Sequence, residues 1–127
     1  MRSDCPVSYA LDLLGDKWTF LIVRDLVEGK KFYKEFLNSK EGIATNILSD
    51  RLKKLEKNGI IEWKVFEKLK TKKEYSLTQK GKDLVPVLVE IILWSNKYQK
   101  ELAVTDSFIK KANTDKESLI SIIKSSL

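Results

Sequence analysis

Residues 45–66 read TNILSDRLKKLEKNGIIEWKVF, and this stretch decides the fold. From Thr45 to Asn58 the apolar residues recur at helical spacing, and Gly59 follows at a position where helices commonly end. The β-branched and aromatic run from Ile60 to Phe66 then predicts a strand. The rest of the chain must therefore be compatible with a helix that leads almost directly into a strand.

Apolar spacing and helix-end signals elsewhere predict further helices and a second strand. Caps are expected at Asp4 or Ser3, at Asp16 and at Thr78, because each is a short polar residue before an apolar periodic segment. A capping box at 114–117 predicts a helix in the tail. The main helices are expected at about residues 6–14, 17–27, 31–37, 45–58 and 79–102, and the strands at about 60–66 and 74–77. This order predicts one domain over 1–127, mainly α with a small β-hairpin: a winged helix–turn–helix with added terminal helices.

The composition excludes most enzyme and metal-site classes. The 127 residues include no His and one Cys, so zinc-ligand patterns and Ser-His or Cys-His pairs are missing. Because the sequence also has no Gly-rich phosphate loop, we expect no catalysis, no metal and no cofactor. The longest apolar stretch, Leu84–Trp94, is too short to span a bilayer, and the N-terminus does not have the pattern of a signal peptide. We expect a chain without membrane contact in a reducing cytoplasm.

The net charge of +6 arises in the middle of the chain. Residues 31–82 carry 14 basic and 7 acidic side chains, whereas the segments on either side are close to neutral. A concentrated positive charge favours a polyanion partner. A lysine-rich solvated surface is the alternative explanation.

The predicted helix over 45–58 separates an apolar face from a polar face. Helices that enter the major groove carry short polar side chains near their N-terminus, and an Asn can form two hydrogen bonds with adenine. An ordinary solvated helix surface is the alternative. The candidate base-reading residues are Thr45, Asn46, Ser49, Asp50 and Lys53.

Candidate phosphate contacts surround this polar face. Lysines of the hairpin, or wing, over about 64–75 are expected on the DNA backbone or in the minor groove. Protection of an edge strand by lysine is the alternative. Arg51 lies toward the apolar side of its helix, so we expect it to pair with a carboxylate or a phosphate rather than to read bases. The candidates are Lys30, Lys31, Lys34, Arg51, Lys54, Lys57, Lys68, Lys70, Lys72 and Lys73.

Short motifs in a fixed order make the chain similar to a known family. They are CPV at 5–7, GDKW at 15–18, YKEF at 33–36, LSDRLKKLE at 48–56, YSLT at 75–78 with Gly81, and Trp94. Together they resemble the HxlR-type winged helix–turn–helix transcriptional regulators of bacteria over about residues 5–98, which belong to the MarR-like winged helices. The helical extension at 103–127 lies outside the resemblance. Two positions depart from the family pattern, because Phe32 stands where an Arg is common and Ala44 where a Ser or Thr cap is common. Thr45 is the alternative cap.

The resemblance implies a homodimer that binds a pseudo-palindromic operator in double-stranded DNA and responds to a small-molecule or oxidant effector. In that family the first helix and the long C-terminal helix form the dimer. The implied interface residues are Leu11, Leu84, Leu88, Ile91, Ile92, Trp94 and Tyr98. A winged-helix protein-interaction module without sequence-specific DNA binding is the alternative function.

Cys5 is a candidate redox sensor. It precedes a predicted helix, and a helix N-terminus favours the reactive thiolate form of cysteine. Some members of the family that the chain resembles sense oxidants or electrophiles through a cysteine at this place. Because the chain has one Cys, oxidation would give an adduct, a sulfenic acid, or a disulfide with another subunit or a small thiol. An unreactive thiol that only fills space is the alternative.

Overall fold

The structure, a computed structural model that describes residues 3–127, confirms a mainly helical winged helix–turn–helix with one hairpin. Two strands, β1 (Ile61–Phe66) and β2 (Leu69–Leu77), pair antiparallel. The chain divides into two compact units, each with its own internal contacts; the first ends at Gly81 and the second begins at Lys82. One domain over 1–127 stays a prediction. The helices are α1 (Pro6–Leu14), α2 (Lys17–Val27), α3 (Tyr33–Leu37), α4 (Thr45–Lys57), α5 (Gln79–Lys82), α6 (Val85–Tyr98), α7 (Asp106–Thr114) and α8 (Lys116–Ser125).

The core of the first unit is built from apolar faces of α2, α3, α4 and the hairpin. Leu48, Leu52 and Leu55 of α4 are buried, as the helical spacing predicts. Burial of this stripe fixes which side of α4 faces solvent. The buried apolar residues of the unit are Ile22, Val23, Leu26, Phe36, Ile43, Leu48, Leu52, Leu55, Ile60, Ile61, Tyr75 and Leu77.

Asp16 caps α2, as predicted, and also fastens α2 to α4. Its carboxylate accepts hydrogen bonds from the backbone N–H groups of Trp18 (3.0 Å) and Thr19 (3.1 Å) and from the Thr19 hydroxyl (2.5 Å). Arg51 of α4 donates from Nε to the same carboxylate at 3.0 Å. Partial burial raises the pKa of Asp16, but the hydrogen bonds from Thr19 and Arg51 outweigh it and lower the pKa to about 2. One carboxylate therefore starts α2 and fixes the position of α4.

Arg24 of α2 holds the turn between α3 and α4. Its Nη1 and Nη2 donate to the two carboxylate oxygens of Glu41 at 2.8 and 2.9 Å, and Nη2 also donates to the buried carboxylate of Asp25 at 2.7 Å. The hydrogen bonds from Arg24 lower the pKa of Glu41 to about 2. Planar two-point pairing of this kind fixes orientation as well as distance. Arg24 thus fixes the turn between α3 and α4 to α2.

The second strand is longer than the sequence predicts. β2 starts at Leu69 rather than Glu74, and the turn occupies residues 67–68. Its first residues are mostly lysine and threonine without an apolar alternation, so no strand pattern was visible. Backbone pairing with β1, with an irregularity between Val65 and Phe66, makes them a strand regardless of composition. The wing is therefore a full hairpin with charged residues within its strands.

The prediction of one continuous helix over 79–102 is wrong, because the structure has two helices there, α5 and α6. Thr78 does cap a helix, since its hydroxyl accepts from the Gly81 N–H at 3.2 Å, but that helix is the single turn α5. Residues 83–84 form a turn before α6, which has Pro86 in its first turn. Proline has no N–H to continue the hydrogen-bond ladder, so it separates the two helices rather than bending one.

Three caps also differ from expectation. The cap residue of α1 is Cys5, not Asp4 or Ser3, with Pro6 as the first helical residue. Ala44 precedes α4 without a side-chain cap, and Thr45 is already helical. In the tail, Asp115 rather than Thr114 caps α8 by accepting from the Ser118 N–H at 3.1 Å. Each shift is one or two residues, which is the usual error for helix ends.

The second unit consists of α6, α7 and α8. Its buried apolar residues are Val85 and Val89 of α6 and Ala112 of α7. Two ion pairs join α8 to the first part of the unit, Lys116 to Glu90 and Lys124 to Asp83. The predicted helical extension after residue 103 is therefore present as two helices, and α8 packs against both α6 and α7.

Replacing Asp16 by Ala is expected to destabilise the first unit by about 1–2 kcal/mol at neutral pH, because the cap and the tie to Arg51 are both lost. The folded-state pKa is depressed from 3.8 to about 2, so this contribution is present above about pH 4 and disappears as the pH falls toward 2. Urea unfolding between pH 7 and pH 2 measures it.

Asp50→Ala is the matched control. Asp50 also pairs with Arg51, but it is exposed and caps no helix. Its loss should change the free energy of unfolding by less than about 0.5 kcal/mol. Equal effects of the two variants, or an effect of Asp16→Ala that persists at pH 2, would contradict the anchoring role.

Candidate nucleic-acid interface

The polar face of α4 lies where the sequence predicts. Thr45, Asn46, Asp50 and Lys53 are exposed, opposite the buried leucine stripe. Asn46 stands in the first turn with its amide open to solvent. This end of α4 can present an amide donor and acceptor to a partner without breaking a contact inside the protein.

Ser49 is less available than the other candidates on this face. It is half-buried, and its hydroxyl lies 3.1 Å from the hydroxyl of Tyr33 in α3. The Tyr33 hydroxyl also donates to the Thr45 carbonyl at 3.1 Å. Tyr33 thereby joins α3 to the first turn of α4, a role that the sequence analysis missed. Its spacing from α4 along the chain gave no signal of this contact.

Arg51 pairs with carboxylates, which is one of the two roles expected for it. In addition to Asp16, it contacts the carboxylate of neighbouring Asp50. The hydrogen bonds that Arg51 donates to Asp16 and Asp50 raise its pKa above the usual value, so the guanidinium stays charged. The guanidinium of Arg51 is therefore engaged in contacts inside the protein, and the negative charge of Asp50 is partly neutralised by it.

Most of the lysines among the predicted phosphate contacts fall into two classes. Some cations already have a partner: Lys30 lies 3.5 Å from Asp25, and Lys31 lies 3.7 Å from Glu74. Others are exposed and form no ion pair with any residue between 3 and 127. This second class comprises Lys34, Lys57, Lys68 and Lys70, and the base-reading candidate Lys53 is likewise exposed without an ion pair in the described part of the chain. Lys54 lies half-buried on the side of α4. The unpaired class is distributed over α3, α4 and the wing.

An aromatic contact attaches the wing to Phe32, the residue that precedes α3. The rings of Phe32 and Phe66 meet edge to face with centroids 5.2 Å apart. The ammonium of Lys72 lies 3.8 Å from the centroid of Phe32, and that of Lys73 lies 4.2 Å from the centroid of Trp63. Lys72 and Lys73 are therefore held on aromatic faces. Phe32 thus supports the wing through its ring.

A backbone hydrogen bond reinforces that attachment. The Tyr75 N–H donates to the Lys31 carbonyl at 2.8 Å, so the residues before α3 run beside β2. Tyr75 is buried, and its ring meets Phe36 edge to face with centroids 6.1 Å apart. The base of the wing is thus tied to the helix that supports α4.

Cys5 lies at the N-terminus of α1, as predicted, and is exposed as a free thiol. Its backbone N–H donates to the Ser3 hydroxyl at 3.1 Å. On the same helix Val7 and Leu11 are exposed and one turn apart. The N-terminal helix therefore presents both a thiol and apolar surface to solvent.

The helix α6 carries an exposed apolar stripe. Val87, Ile91, Trp94 and Tyr98 are spaced at three or four residues and are 45%, 45%, 68% and 66% exposed. The other predicted interface residues of α6, Leu88 and Ile92, are half-buried, as is Leu84 before the helix. Val87 was not predicted. The stripe is continuous along the helix, since these spacings return to one face.

No helix in the described part of the chain is long and apolar enough to cross a membrane. Within residues 3–127 no three His, Cys, Asp or Glu side chains are grouped to bind a metal ion.

Comparison with known proteins agrees with the sequence motifs. The HxlR-like helix-turn-helix family matches residues 13–103. YdeP of Bacillus subtilis, an uncharacterised HTH-type transcriptional regulator, is 36% identical over 98 residues, which is 77% of each chain. The reduced form of the transcriptional regulator YodB from B. subtilis has a TM-score of 0.63 and 36% identity, covering 77% of this chain and 97% of its own. The redox regulator HypR in its oxidised form has a TM-score of 0.67 and 32% identity, covering 75% and 98%.

These matches confirm the fold, the family resemblance and the expectation that the chain is not an enzyme. The family match ends at residue 103, so α7 and α8 lie outside the residues that match the family. The chain belongs to the HxlR-like helix-turn-helix family and is a transcriptional regulator.

Proposed function

We propose that the chain acts as a homodimer that binds a pseudo-palindromic DNA operator. In this proposal α4 enters the major groove and the wing contacts the backbone or the minor groove. The observation that carries it is the exposed polar face of α4, held in place by Arg51 and Tyr33 and bordered by unpaired lysines.

The positive sign and the position of the charged side chains support DNA as the partner. The cations without an ion pair, such as Lys34, Lys53 and Lys70, come from three elements of the first unit. Phosphate contacts from several elements fix the register of a protein on a duplex, and base edges then supply specificity. Asn46 is the best-placed base-reading residue, because its amide is exposed in the first turn of α4.

The apolar stripe of α6 supports a homodimer. Trp94 and Tyr98 are more than half exposed and their rings are in contact, with centroids 5.5 Å apart. Large aromatic side chains in a continuous exposed stripe are typical of protein interfaces. The interface we propose is centred on Val87, Ile91, Trp94 and Tyr98, with Leu11 of α1 contributing and Leu84, Leu88 and Ile92 at its margins.

The exposed thiol of Cys5 supports a response to oxidants or electrophiles. The neighbouring structures include YodB in quinone-bound and diamide-treated forms and HypR in an oxidised form. With one cysteine per chain, two thiols from two subunits can form one disulfide, and diamide takes up the two electrons and two protons that are released. Such a bond would join the N-termini of two α1 helices.

Selection from a genomic DNA library and titration of the selected duplex test the proposed DNA site. Lys70→Gln is expected to weaken binding to all duplexes and to reduce the slope of log K against log salt by about 1. Asn46→Ala is expected to cost about 1–3 kcal/mol at one base pair and to relax the preference there.

Lys110→Gln removes the same charge from an exposed residue of α7 and should leave DNA binding unchanged. An equal loss in Lys110→Gln and Lys70→Gln would contradict the proposed wing contact. If the wild-type chain binds all duplexes alike, sequence-specific reading by α4 is wrong. If it binds no duplex and instead forms a salt-insensitive complex with a protein, a protein-interaction module is the better explanation.

Trp94→Ala is expected to shift the dimer toward monomer, because it removes the largest exposed apolar side chain of the α6 stripe. Sedimentation equilibrium across a concentration series measures the dissociation constant. Ile122→Ala is the control, since Ile122 is 57% exposed on α8 in the same unit. A dimer that both variants weaken equally, or that neither weakens, would place the interface elsewhere.

Treatment with diamide is expected to change the DNA affinity of the wild-type chain and to leave that of Cys5→Ser unchanged. Non-reducing mass spectrometry should show a disulfide-linked dimer in the wild type alone. Cys5→Ser without oxidant should bind DNA like the reduced wild type. An unchanged affinity of fully oxidised wild type would rule out Cys5 as the switch.

A further inference from the structure

The helix α1 lies on the surface of the first unit rather than in its core. None of its nine residues is buried, and Val7, Tyr9 and Leu11 are exposed. A helix with so few buried contacts can move at a small cost in free energy. Two contacts connect α1 to α4, the helix that carries the proposed base-reading face.

The first of these contacts runs through the turn between α1 and α2. The Gly15 N–H donates to the Leu11 carbonyl at 2.8 Å, and a Cβ at Gly15 would lie only 2.4 Å from that carbonyl oxygen. A larger residue would therefore force the turn to move. The next residue is Asp16, which binds Arg51 in the middle of α4. The C-terminal end of α1 is thus connected to α4 by a tight turn and one ion pair.

The second contact is made by Lys80 of α5. Its ammonium donates to the carbonyl of Asn58 at 2.9 Å and to the hydroxyl of Tyr9 at 3.2 Å. The centroid of the Tyr9 ring lies 5.9 Å from the same ammonium. The side chain of Lys80 therefore bridges α1 and the C-terminal end of α4, and its own backbone belongs to a third helix.

The Asn58 carbonyl is one of the groups at the end of α4 that have no donor within the helix. The Asn58 backbone N–H and side-chain amide both donate to the Lys54 carbonyl, at 3.0 and 2.9 Å, and close the last turn. The carbonyl itself points beyond the helical ladder and needs an outside donor. A cation at this end also interacts favourably with the helix dipole. Lys80 supplies both the donor and the charge, so it helps to fix where α4 ends.

We propose that Lys80 is a positioning residue through which α1 sets the position of the C-terminal end of α4. A displacement of α1 about the Gly15 turn moves the Tyr9 hydroxyl, and the ammonium that Tyr9 shares with Asn58 moves or is released. Because Arg51 holds α4 in the middle, a change at the Asn58 end alters the tilt of the helix. The consequence for DNA binding rests on the proposed function, whereas the coupling of α1 to α4 does not.

Cys5 offers a defined point at which to displace α1. Its carbonyl accepts from the Tyr9 N–H at 3.0 Å, so it lies one helical turn before Tyr9. Because the chain has one cysteine, N-ethylmaleimide at neutral pH labels this thiol selectively. The thiol adds across the double bond of the reagent without a leaving group. Labelling therefore adds bulk to α1 within one turn of the bridge.

The coupling is tested without DNA, by amide hydrogen exchange measured with NMR before and after labelling. The Gly59 and Ile60 N–H groups report on the end of α4, because they donate to the Glu56 and Leu55 carbonyls at 3.0 and 2.9 Å. In the wild type we expect labelling to change their exchange rates at least about threefold. The Ser118 N–H, which bonds to Asp115 at the start of α8, should keep its rate.

Two variants interrupt the bridge at different places. Lys80→Met removes the ammonium but keeps a long side chain, and Tyr9→Phe removes the hydroxyl alone. In both we expect labelling of Cys5 to change the exchange rates of Gly59 and Ile60 by less than about 1.5-fold. Lys110→Met makes the same replacement at an exposed residue of α7 and should respond to labelling like the wild type.

Two results would overturn the proposed coupling. One is a wild type in which Gly59 and Ile60 do not respond to labelling of Cys5. The other is a response in Lys80→Met as large as in the wild type, because the displacement would then reach α4 by another route. If Lys80→Met does not fold, Tyr9→Phe decides the question, since it removes one atom from an exposed side chain.

The consequence for DNA is measured separately with the selected duplex. Labelling should change the DNA affinity of the wild type and of Lys110→Met at least about threefold, and that of Lys80→Met much less. A chain in which Gly59 and Ile60 respond to labelling but which binds no duplex keeps the coupling and loses the proposed function. A chain that binds the selected duplex without any response of Gly59 and Ile60 loses the coupling alone.

Discussion

The hydrogen-bonded ion pair between Asp16 and Arg51 is the contact on which the exposed polar face of α4 depends. Asp16 begins α2, and Arg51 lies in the middle of α4, so one contact sets the position of α4 against the core. Arg24 and Glu41 do the same for the turn before α4. Both pairs connect elements far apart in sequence. They direct the polar face outward with a precision that burial of leucines alone would not give.

The sequence allowed much of the fold to be predicted where local chemistry dominates. Asp16 as a cap, the leucine stripe of α4 and the glycine after it each depend on neighbours within a few residues. Family motifs added the order of the elements. The polar face of α4 could be predicted for the same reason, because helical spacing alone separates Asn46 from the buried Leu48.

Features that depend on distant partners could not be predicted in this way. The lysine-rich start of β2 is a strand because β1 pairs with it, and Ser49 is partly withdrawn because Tyr33 reaches it from α3. The break at residues 83–84 was not predicted, although Pro86 in the first turn of α6 has no N–H to continue a helix from α5. Likewise, a count of lysines says nothing about which of them already have a carboxylate or a ring as partner.

The Phe32–Phe66 contact, which holds the wing in place, depends on salt concentration differently from the lysines that the wing exposes. Contacts between lysines and phosphates weaken steeply as salt rises. Contacts between aromatic rings depend on dispersion and on exclusion of water, which salt does not screen. Because Phe32 supports the wing through an uncharged aromatic contact, the position of the wing and the strength of any lysine–phosphate contact depend on separate forces. The geometry offered to a partner should therefore stay constant over a range of salt concentrations in which the affinity changes by orders of magnitude.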